Sequence, residues 1–110
     1  ILFEPVRIGP VTAPNRFYQV PHCNGFGYRS PRSHARMREI KALGGWGVIC
    51  TEETEIHHTS DIAPFIEGRI WDDADIPALA LMTEAVHRHG AIAGLELAYN
   101  GTDTPQTRGR

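Results

Sequence analysis

The chain has 110 residues, of which 41% are hydrophobic and 22% charged, and its formal net charge is −2. This composition is typical of one globular domain or part of one, and it argues against a disordered or coiled-coil protein. The 11 lysines and arginines form no basic run, and no apolar stretch approaches the ~18 residues of a membrane helix. We therefore expect neither a nucleic-acid nor a membrane partner. Two cysteines exclude a disulfide scaffold, and without an export signal we expect reduced thiols and a cytoplasmic location.

The first predicted elements are a hairpin and a short strand. Residues 2–15 alternate loosely around a Gly9-Pro10 turn, and their prolines favour an edge or capping hairpin. A compact strand is predicted over 16–20 and stops at Pro21. A loop with two glycines follows this strand.

A helix is predicted from Pro31 to about Leu43, with Ser30 as its N-cap and a Gly-Gly pair after its end. Its predicted buried face carries the apolar residues Ala35, Met37, Ile40 and Leu43. Its predicted solvent face carries the charged residues Arg32, Arg36, Arg38 and Glu39.

The second half of the chain predicts a strand, a helix and another strand. Residues 47–52 indicate a strand buried on both faces, and 53–71 form a long connection of the kind that often carries function. A helix over 76–89 is capped by aspartates 72, 73 and 75, and its buried face carries Leu79, Met82, Ala85 and Val86. Residues 91–97 predict a third buried strand.

The predicted order is hairpin, strand, helix, strand, helix, strand. Strands that alternate with helices indicate a parallel α/β sheet with right-handed crossovers. Two architectures begin in this way, a doubly wound sheet and a (β/α)₈ barrel.

The loop after the first strand admits two interpretations. Gly25-Phe26-Gly27 resembles the start of a dinucleotide-binding G-x-G-x-x-G loop, and acidic residues end the next strand where a ribose-binding residue could lie. However, Ser30 replaces the third glycine, and three polar residues separate the strand from Gly25. A flexible loop is the simpler interpretation.

The two cysteines receive different predictions. Cys23 follows His22 just past the end of the first strand, where active sites of parallel α/β folds lie, so it is a candidate nucleophile of lowered pKa or else a plain structural thiol. Cys50 lies in the middle of an apolar strand, so we expect a buried structural thiol. Neither the cysteines nor the aspartates have the spacing of a metal site, so we expect no metal ligands.

Acidic residues mark two strand ends. Strict alternation would place Thr51, Glu53 and Glu55 on one side of their strand and Glu52 on the other, either as a solvated end or as the mouth of a pocket for a cation. Glu96 interrupts an apolar strand, where a charge is costly unless it is paired, so we expect it to have a function.

Several motifs together resemble the start of one known family. They are Arg16-Phe17-Tyr18-Gln19-Val20-Pro21-His22-Cys23, Gly44-Gly45-Trp46, Thr51-Glu52, Ile70-Trp71-Asp72-Asp73, His87 with Gly90, and Glu96-Leu97. This set is similar to the trimethylamine, dimethylamine and histamine dehydrogenases, the amine-oxidising branch of the old yellow enzyme group. The Val-Pro-His-Cys segment is the most specific part, because ordinary old yellow enzymes lack that cysteine.

The resemblance implies a (β/α)₈ barrel that holds FMN at the C-terminal ends of its strands. It also implies that Cys23 is bonded through sulfur to C6 of the flavin, that Pro21 and His22 contact the flavin, and that Glu96 hydrogen-bonds it. Glu53 stands where the trimethylamine enzymes carry Tyr and the dimethylamine and histamine enzymes typically carry Gln. Since Glu53 cannot supply an aromatic face to a trimethylammonium group, a secondary amine or a histamine-like amine is the expected substrate.

The resemblance further implies that residues 1–110 form a partial FMN-binding barrel domain, namely its N-terminal portion. A longer enzyme would add the remaining strands, a 4Fe-4S cluster and a nucleotide-binding C-terminal region, would donate electrons to an electron-transfer protein, and would form a homodimer. By itself, the 110-residue chain is expected to be inactive and prone to aggregate. Two alternatives remain: an NAD(P)H-dependent ene-reductase of the old yellow type, and a non-enzymatic α/β binding module.

Overall fold

A computed structural model describes residues 1–60 and 66–101. Within these residues lie six strands and two helices: β1 (Val6–Ile8), β2 (Val11–Ala13), β3 (Tyr18–Gln19), α1 (Pro31–Leu43), β4 (Val48–Glu55), β5 (Gly68–Arg69), α2 (Ile76–His87) and β6 (Ile92–Ala98). A single 3₁₀ turn, Asp73–Asp75, leads into α2. The order confirms the alternation of strands and helices that the sequence predicts.

Strand β4 is the centre of a parallel sheet. It pairs with β6 along most of its length, from Val48 opposite Ile92 to Glu55 opposite Ala98. At its start β4 pairs with β3, and near its end it pairs with β5. β3 and β5 pair with different parts of β4. Between these two pairings, β4 has no strand partner on that side among the described residues, and the loop that follows β3 lies there instead.

The predicted hairpin is present and covers one end of the sheet. Strands β1 and β2 pair antiparallel around Gly9, whose φ of 57° suits a turn glycine. Ala13 is fully buried against Val48 and Cys50 on one face of the sheet. The hairpin therefore acts as the capping element that its prolines indicate.

The two helices pack on the opposite face. A cluster of small and aliphatic side chains fills this layer: Ala35, Ala42, Ile49, Met82, Ala85, Val86 and Ala91. The prediction for α2 is largely confirmed, although Leu79 is only half-buried and the helix ends at His87.

The buried face of α1 differs from the prediction. Ile40 and Leu43 are exposed, whereas His34 and Arg38 are buried, with Arg38 completely so. The buried stripe runs through positions 34, 38 and 42, four residues apart, because the His34 side chain contacts Glu52 on β4 and the Arg38 side chain contacts the loop after β3. The prediction that Arg38 faces solvent was wrong.

Strand β4 is longer than predicted and carries a bulge. Residues 53–55, expected in a connection, continue the strand to Glu55. The pairing with β6 shifts between Cys50 and Glu53, where three steps on β4 match two on β6. A bulge reverses the alternation beyond it, so Glu53 shares a face with Cys50, contrary to the prediction.

The remaining corrections concern the connection and the last strand. Part of the predicted connection, 61–65, lies outside the described residues, and β5 within it was not predicted. Asp75 does not cap α2, because its carboxylate binds Arg69 at 2.6 Å and the Trp71 N–H at 3.0 Å. Strand β6, predicted as buried, has its central residues exposed in this chain.

Candidate active site

The predicted site residues lie beyond the end of β3 and near the C-terminal ends of β4 and β6. Cys23 is a free, exposed thiol in the loop after β3, next to the exposed His22 and the half-buried Pro21. Glu53 and Glu96 lie directly opposite each other on β4 and β6. Parallel strands bring these positions to one end of the sheet, as the sequence predicts.

The thiol of Cys23 is held in its protonated form. Partial burial raises the pKa of Cys23, and the carboxylates of Glu67, Glu53 and Glu52 raise it further, whereas a hydrogen bond with the Glu53 backbone lowers it. The direction of this pKa is therefore opposite to the lowered pKa expected of a nucleophilic Cys23. A reaction at this sulfur needs a group that removes the thiol proton.

His22 is fixed through its neighbours on α1 and β3. Arg38 donates a hydrogen bond from Nη2 to the His22 carbonyl at 2.8 Å, and its Nη1 lies 3.4 Å from the His22 Nδ1. The Gln19 amide nitrogen lies 3.3 Å from the same Nδ1. Partial burial and the Arg38 guanidinium lower the pKa of His22, so the neutral imidazole is favoured at neutral pH.

Glu53 and Glu96 form a pair of like charges across the two strands. Glu53 is half-buried and accepts a hydrogen bond from the Asn100 side chain. Glu96 is exposed in this chain, and its backbone N–H donates to Thr51 at 3.2 Å. Directly opposed like charges destabilise a sheet, and a cation bound between them would relieve the repulsion.

The glycine loop is not free to bind a phosphate. The backbone N–H groups of residues 24–27 donate to the carboxylate of Glu52, and Gly25 also donates to Glu67. The interpretation as a dinucleotide loop is therefore wrong, because the donors that would hold a pyrophosphate already have anionic acceptors.

Glu52 and Glu67 share a hydrogen bond and titrate in opposite directions. Burial opposes the ionisation of Glu52, but hydrogen bonds from His34, Glu67 and the backbone of residues 24–25 hold its pKa well below its usual range. Burial and the contact with Glu52 raise the pKa of Glu67 to about 7. One proton is therefore shared between two carboxyl groups beside the thiol of Cys23.

Cys50 has the structural role that its position predicts. It is 3% exposed, and its Sγ donates a hydrogen bond to the Tyr18 hydroxyl at 3.0 Å.

Three functional contacts were missed at the sequence level, those of His34, Arg38 and Glu67. A signal was available for the first two, since they are four residues apart and therefore share a helix face.

The chemistry of these groups fits a flavin. The Oε1 atom of Gln19 is buried and has no hydrogen-bond partner within the described residues, so it can accept from a ligand N–H or O–H. Glu96 offers a second acceptor, Cys23 offers a thiol, and Val20 offers an exposed apolar surface near the end of β3. These residues could contact the ring system of FMN.

Among the described residues, neither helix has the length and apolar composition of a membrane-spanning segment.

Comparison with known proteins connects this arrangement to flavoenzymes. The chain is 48% identical over 110 residues to a dimethylamine dehydrogenase of Hyphomicrobium sp. (strain x), of which it covers 15%. The structure of a histamine dehydrogenase from Rhizobium sp. 4-9 is also similar, at 65% identity and a TM-score of 0.90. The matched region covers 96% of the present chain and 15% of the histamine dehydrogenase chain. The chain thus spans about a seventh of these relatives.

An old yellow enzyme homologue from Zymomonas mobilis shares the fold more distantly. It matches 89% of the chain and 28% of its own length, at 34% identity and a TM-score of 0.70. The fold prediction is therefore confirmed: the chain has the α/β structure that opens the barrel of old yellow enzyme-like proteins. A family model, described as NADH:flavin oxidoreductase / NADH oxidase, matches residues 1–109. Because this match covers nearly the whole chain, the protein belongs to the NADH:flavin oxidoreductase / NADH oxidase family.

Proposed function

We propose that the chain is the N-terminal part of an FMN-dependent amine dehydrogenase, called the parent enzyme below. The observation that carries this proposal is the exposed thiol of Cys23 just beyond β3, at the end of the sheet where Glu53 and Glu96 face each other. The similarity to a dimethylamine dehydrogenase and a histamine dehydrogenase supports the same reaction class.

In this proposal Cys23 holds the flavin through a bond from its sulfur to ring carbon C6. That bond replaces the thiol S–H and the ring C6–H, so two electrons and two protons pass to an oxidant such as dioxygen. Pro21 and His22 contact the flavin next to this link, and the Glu96 carboxylate accepts a hydrogen bond from it. The fixed position of His22 between Arg38 and Gln19 supports its part in this set.

Glu53 is the proposed substrate-binding residue, for a secondary amine or a histamine-like amine. Its carboxylate can accept a hydrogen bond from a protonated amine, and such charge-assisted bonds contribute about 1.5–3 kcal/mol. The neighbouring Glu96 adds a second negative charge at the same place, which favours a cationic ligand. A primary or secondary ammonium offers two or three N–H donors, whereas trimethylammonium offers one.

Bound FMN would supply the two-electron acceptor that converts the amine to an imine, which water then hydrolyses to an aldehyde. Residues outside this chain would carry the 4Fe-4S cluster, the C-terminal nucleotide site and the contacts of a homodimer. We propose an electron-transfer protein as the final acceptor. The share of the relatives that this chain covers, 15%, leaves room for these parts.

The test uses the full-length parent enzyme with two substrate classes. We expect denatured protein to keep a flavin adduct on the peptide containing Cys23, and dimethylamine or histamine to reduce an artificial acceptor dye. The alternative, an NAD(P)H-dependent ene-reductase, is favoured by the likeness to the old yellow enzyme homologue. Flavin lost on denaturation, together with NADPH-dependent reduction of an enone and no amine-dependent dye reduction, would establish that alternative.

A further inference from the structure

The carboxylate of Glu52 binds the loop that follows the flavin-linking cysteine. Its Oε2 accepts hydrogen bonds from the N–H groups of Asn24 and Gly25, each at 2.6 Å. Its Oε1 accepts from Phe26 at 3.0 Å and Gly27 at 2.7 Å. Four consecutive backbone N–H groups thus surround one carboxylate whose side chain is 1% exposed, an arrangement that normally recognises a bound anion.

Helix α1 fixes the other side of this contact. The His34 Nδ1 lies 2.8 Å from Glu52 Oε1, and both side chains are buried. From the same helix face, Arg38 donates to the carbonyl of His22 at 2.8 Å. The chain is therefore held immediately before and immediately after Cys23, by groups that do not belong to its loop.

We propose that Glu52 is a positioning residue for covalent flavin attachment, because it fixes the loop that sets where the Cys23 sulfur lies. This inference rests on the proposed function, in which Cys23 carries the flavin. Glu52 is directed to the loop and to His34 and needs no contact with the flavin or the amine. It acts through the backbone of residues 24–27.

The same carboxylate also suppresses the reactivity of the thiol. The Cys23 Sγ and carboxylate oxygens of Glu52 and Glu67 all lie within 4.8 Å of one another. Partial burial raises the pKa of Cys23, and the negative charges of Glu67 and Glu52 raise it further. Removal of the Glu52 charge should therefore have two opposite effects, a more reactive thiol and a more poorly placed one.

These opposite effects give the proposal its test, in the full-length parent enzyme prepared without flavin under riboflavin limitation. Two rates are measured at pH 8: FMN attachment, by mass spectrometry of denatured protein, and iodoacetamide alkylation of the peptide containing Cys23. For Glu52→Gln we expect attachment to slow about tenfold or more, since four N–H groups lose their anionic acceptor, while alkylation becomes faster.

Glu67→Gln is the matched variant for the charge effect. It removes a negative charge near the same sulfur but leaves the Glu52 contacts with residues 24–27 in place, and an amide oxygen at position 67 can still accept from the Gly25 N–H. We expect faster alkylation and attachment within about twofold of wild type. Glu39→Gln, which changes only ion pairs of α1 with Arg36, Arg88 and His89, should alter neither rate.

Gly27→Ala tests the loop position without any change of charge. A Cβ atom at Gly27 would lie 2.7 Å from the backbone oxygen of Glu67 and 3.4 Å from Glu52 Oε1, so the loop must shift. We expect slower attachment and no faster alkylation. This variant also keeps the proposal testable if Glu52→Gln does not fold.

Two failures are distinguishable. If the wild-type parent enzyme carries no flavin on Cys23, the proposed function is overturned, and this inference with it. If wild type carries the adduct but Glu52→Gln and Gly27→Ala attach FMN at the wild-type rate, only the role of Glu52 is overturned. The same conclusion follows if Glu67→Gln slows attachment as much as Glu52→Gln, because the four N–H contacts of Glu52 would then contribute nothing beyond what the loss of a neighbouring carboxylate does.

Discussion

Cys23 and Cys50 carry the same functional group in two opposite surroundings. Cys23 is exposed in a loop beyond β3, beside two carboxyl groups that share a proton. Cys50 is buried in β4, where its sulfur donates to Tyr18 and lies against Gly94. The contact with Cys50, followed by burial, raises the pKa of Tyr18.

The difference teaches that strand position, and not residue type, separates a candidate reactive thiol from a structural one. Within a strand, neighbouring backbone and side chains close around the sulfur. Beyond the strand end, the backbone leaves the sheet and the sulfur faces the active-site end. The predictions below test this contrast, from the largest expected effect to the smallest.

The largest effect is expected from Cys23→Ala in the parent enzyme. Covalent flavin attachment should disappear, because no other described thiol is exposed near the strand ends. Cys50→Ala is the matched control and should keep the adduct. Mass spectrometry of denatured protein measures both, and a flavin adduct that persists in Cys23→Ala, or that maps to Cys50, would contradict the assignment.

The next effect concerns Glu53, which the bulge in β4 places on the same face as Cys50. Glu53→Gln should lower kcat/KM for primary and secondary amines by about tenfold or more, because a charge-assisted hydrogen bond to the ammonium is lost. Glu53→Tyr should shift the preference towards trimethylamine by adding an aromatic face.

Steady-state kinetics on methylamines and histamine measures these changes, with Glu84→Gln on the exposed face of α2 as the control. Selectivity ratios that stay at wild-type values in both Glu53 variants would show that this side chain does not contact the substrate. A rise in KM together with a rise in kcat for Glu53→Gln would instead indicate that the carboxylate holds the amine in its protonated, unreactive form.

A smaller effect is expected where Cys50 packs against β6. A Cβ atom at Gly94 would lie 2.6 Å from the Cys50 Sγ, so Gly94→Ala should lower the free energy of unfolding by about 1–3 kcal/mol. In a Cys50→Ala background the nearest remaining atom is the Cβ at 3.7 Å, and most of the loss should be recovered.

Denaturant unfolding of the parent enzyme, the two single variants and the double variant measures the coupling between positions 50 and 94. Gly44→Ala is the matched glycine control, since a Cβ there meets only ordinary contacts at 3.4 Å and its φ is −73°. Additive losses for Gly94→Ala and Cys50→Ala would mean that the sulfur does not fill the space beside Gly94.

The order of elements and the ends at which the candidate residues lie were predictable from the sequence. Turn glycines, strand composition and the Ser-Pro helix start are local signals, and they predict the hairpin, α1, β4, α2 and β6 to within a few residues. Parallel strands then bring Cys23, Glu53 and Glu96 to one end. Their roles towards a flavin and an amine stay predictions.

The wrong predictions share one physical origin: interactions between distant parts of the chain outweighed the local sequence pattern. The bulge in β4 moved Glu53 to the other face, which strict alternation could not anticipate. On α1, a contact with Glu52 on β4 buried His34 and a contact with the loop after β3 buried Arg38, whereas the apolar Ile40 is exposed. Hydrogen-bond partners that lie 18 or more residues apart in sequence, such as His34 and Glu52, leave no local pattern.

The smallest effect is expected from the carboxyl group of Glu67, beside Cys23. Its pKa is raised to about 7 in the folded protein, by burial and by the contact with Glu52, whereas an unfolded glutamate titrates near ~4.3. Between these values the folded state binds more protons than the unfolded state, so Glu67 contributes a loss of stability as pH rises from about 4.3 to about 7. The lowered pKa of Glu52 acts in the opposite sense, since its contribution is present above about 4.3 and is lost as pH falls below that value. Glu67→Gln removes the first contribution but keeps the hydrogen bonds from His34 and residues 24–25 that lower the pKa of Glu52. The apparent unfolding midpoint of this variant of the parent enzyme should therefore rise relative to wild type between pH 5 and pH 8. Because Glu67 is only partly buried, this shift should be smaller than that of Gly94→Ala. If the difference in unfolding midpoint between Glu67→Gln and wild type stays constant across this range, Glu67 titrates as an ordinary carboxyl group. The hypothesis of a proton shared by Glu52 and Glu67 would then be wrong.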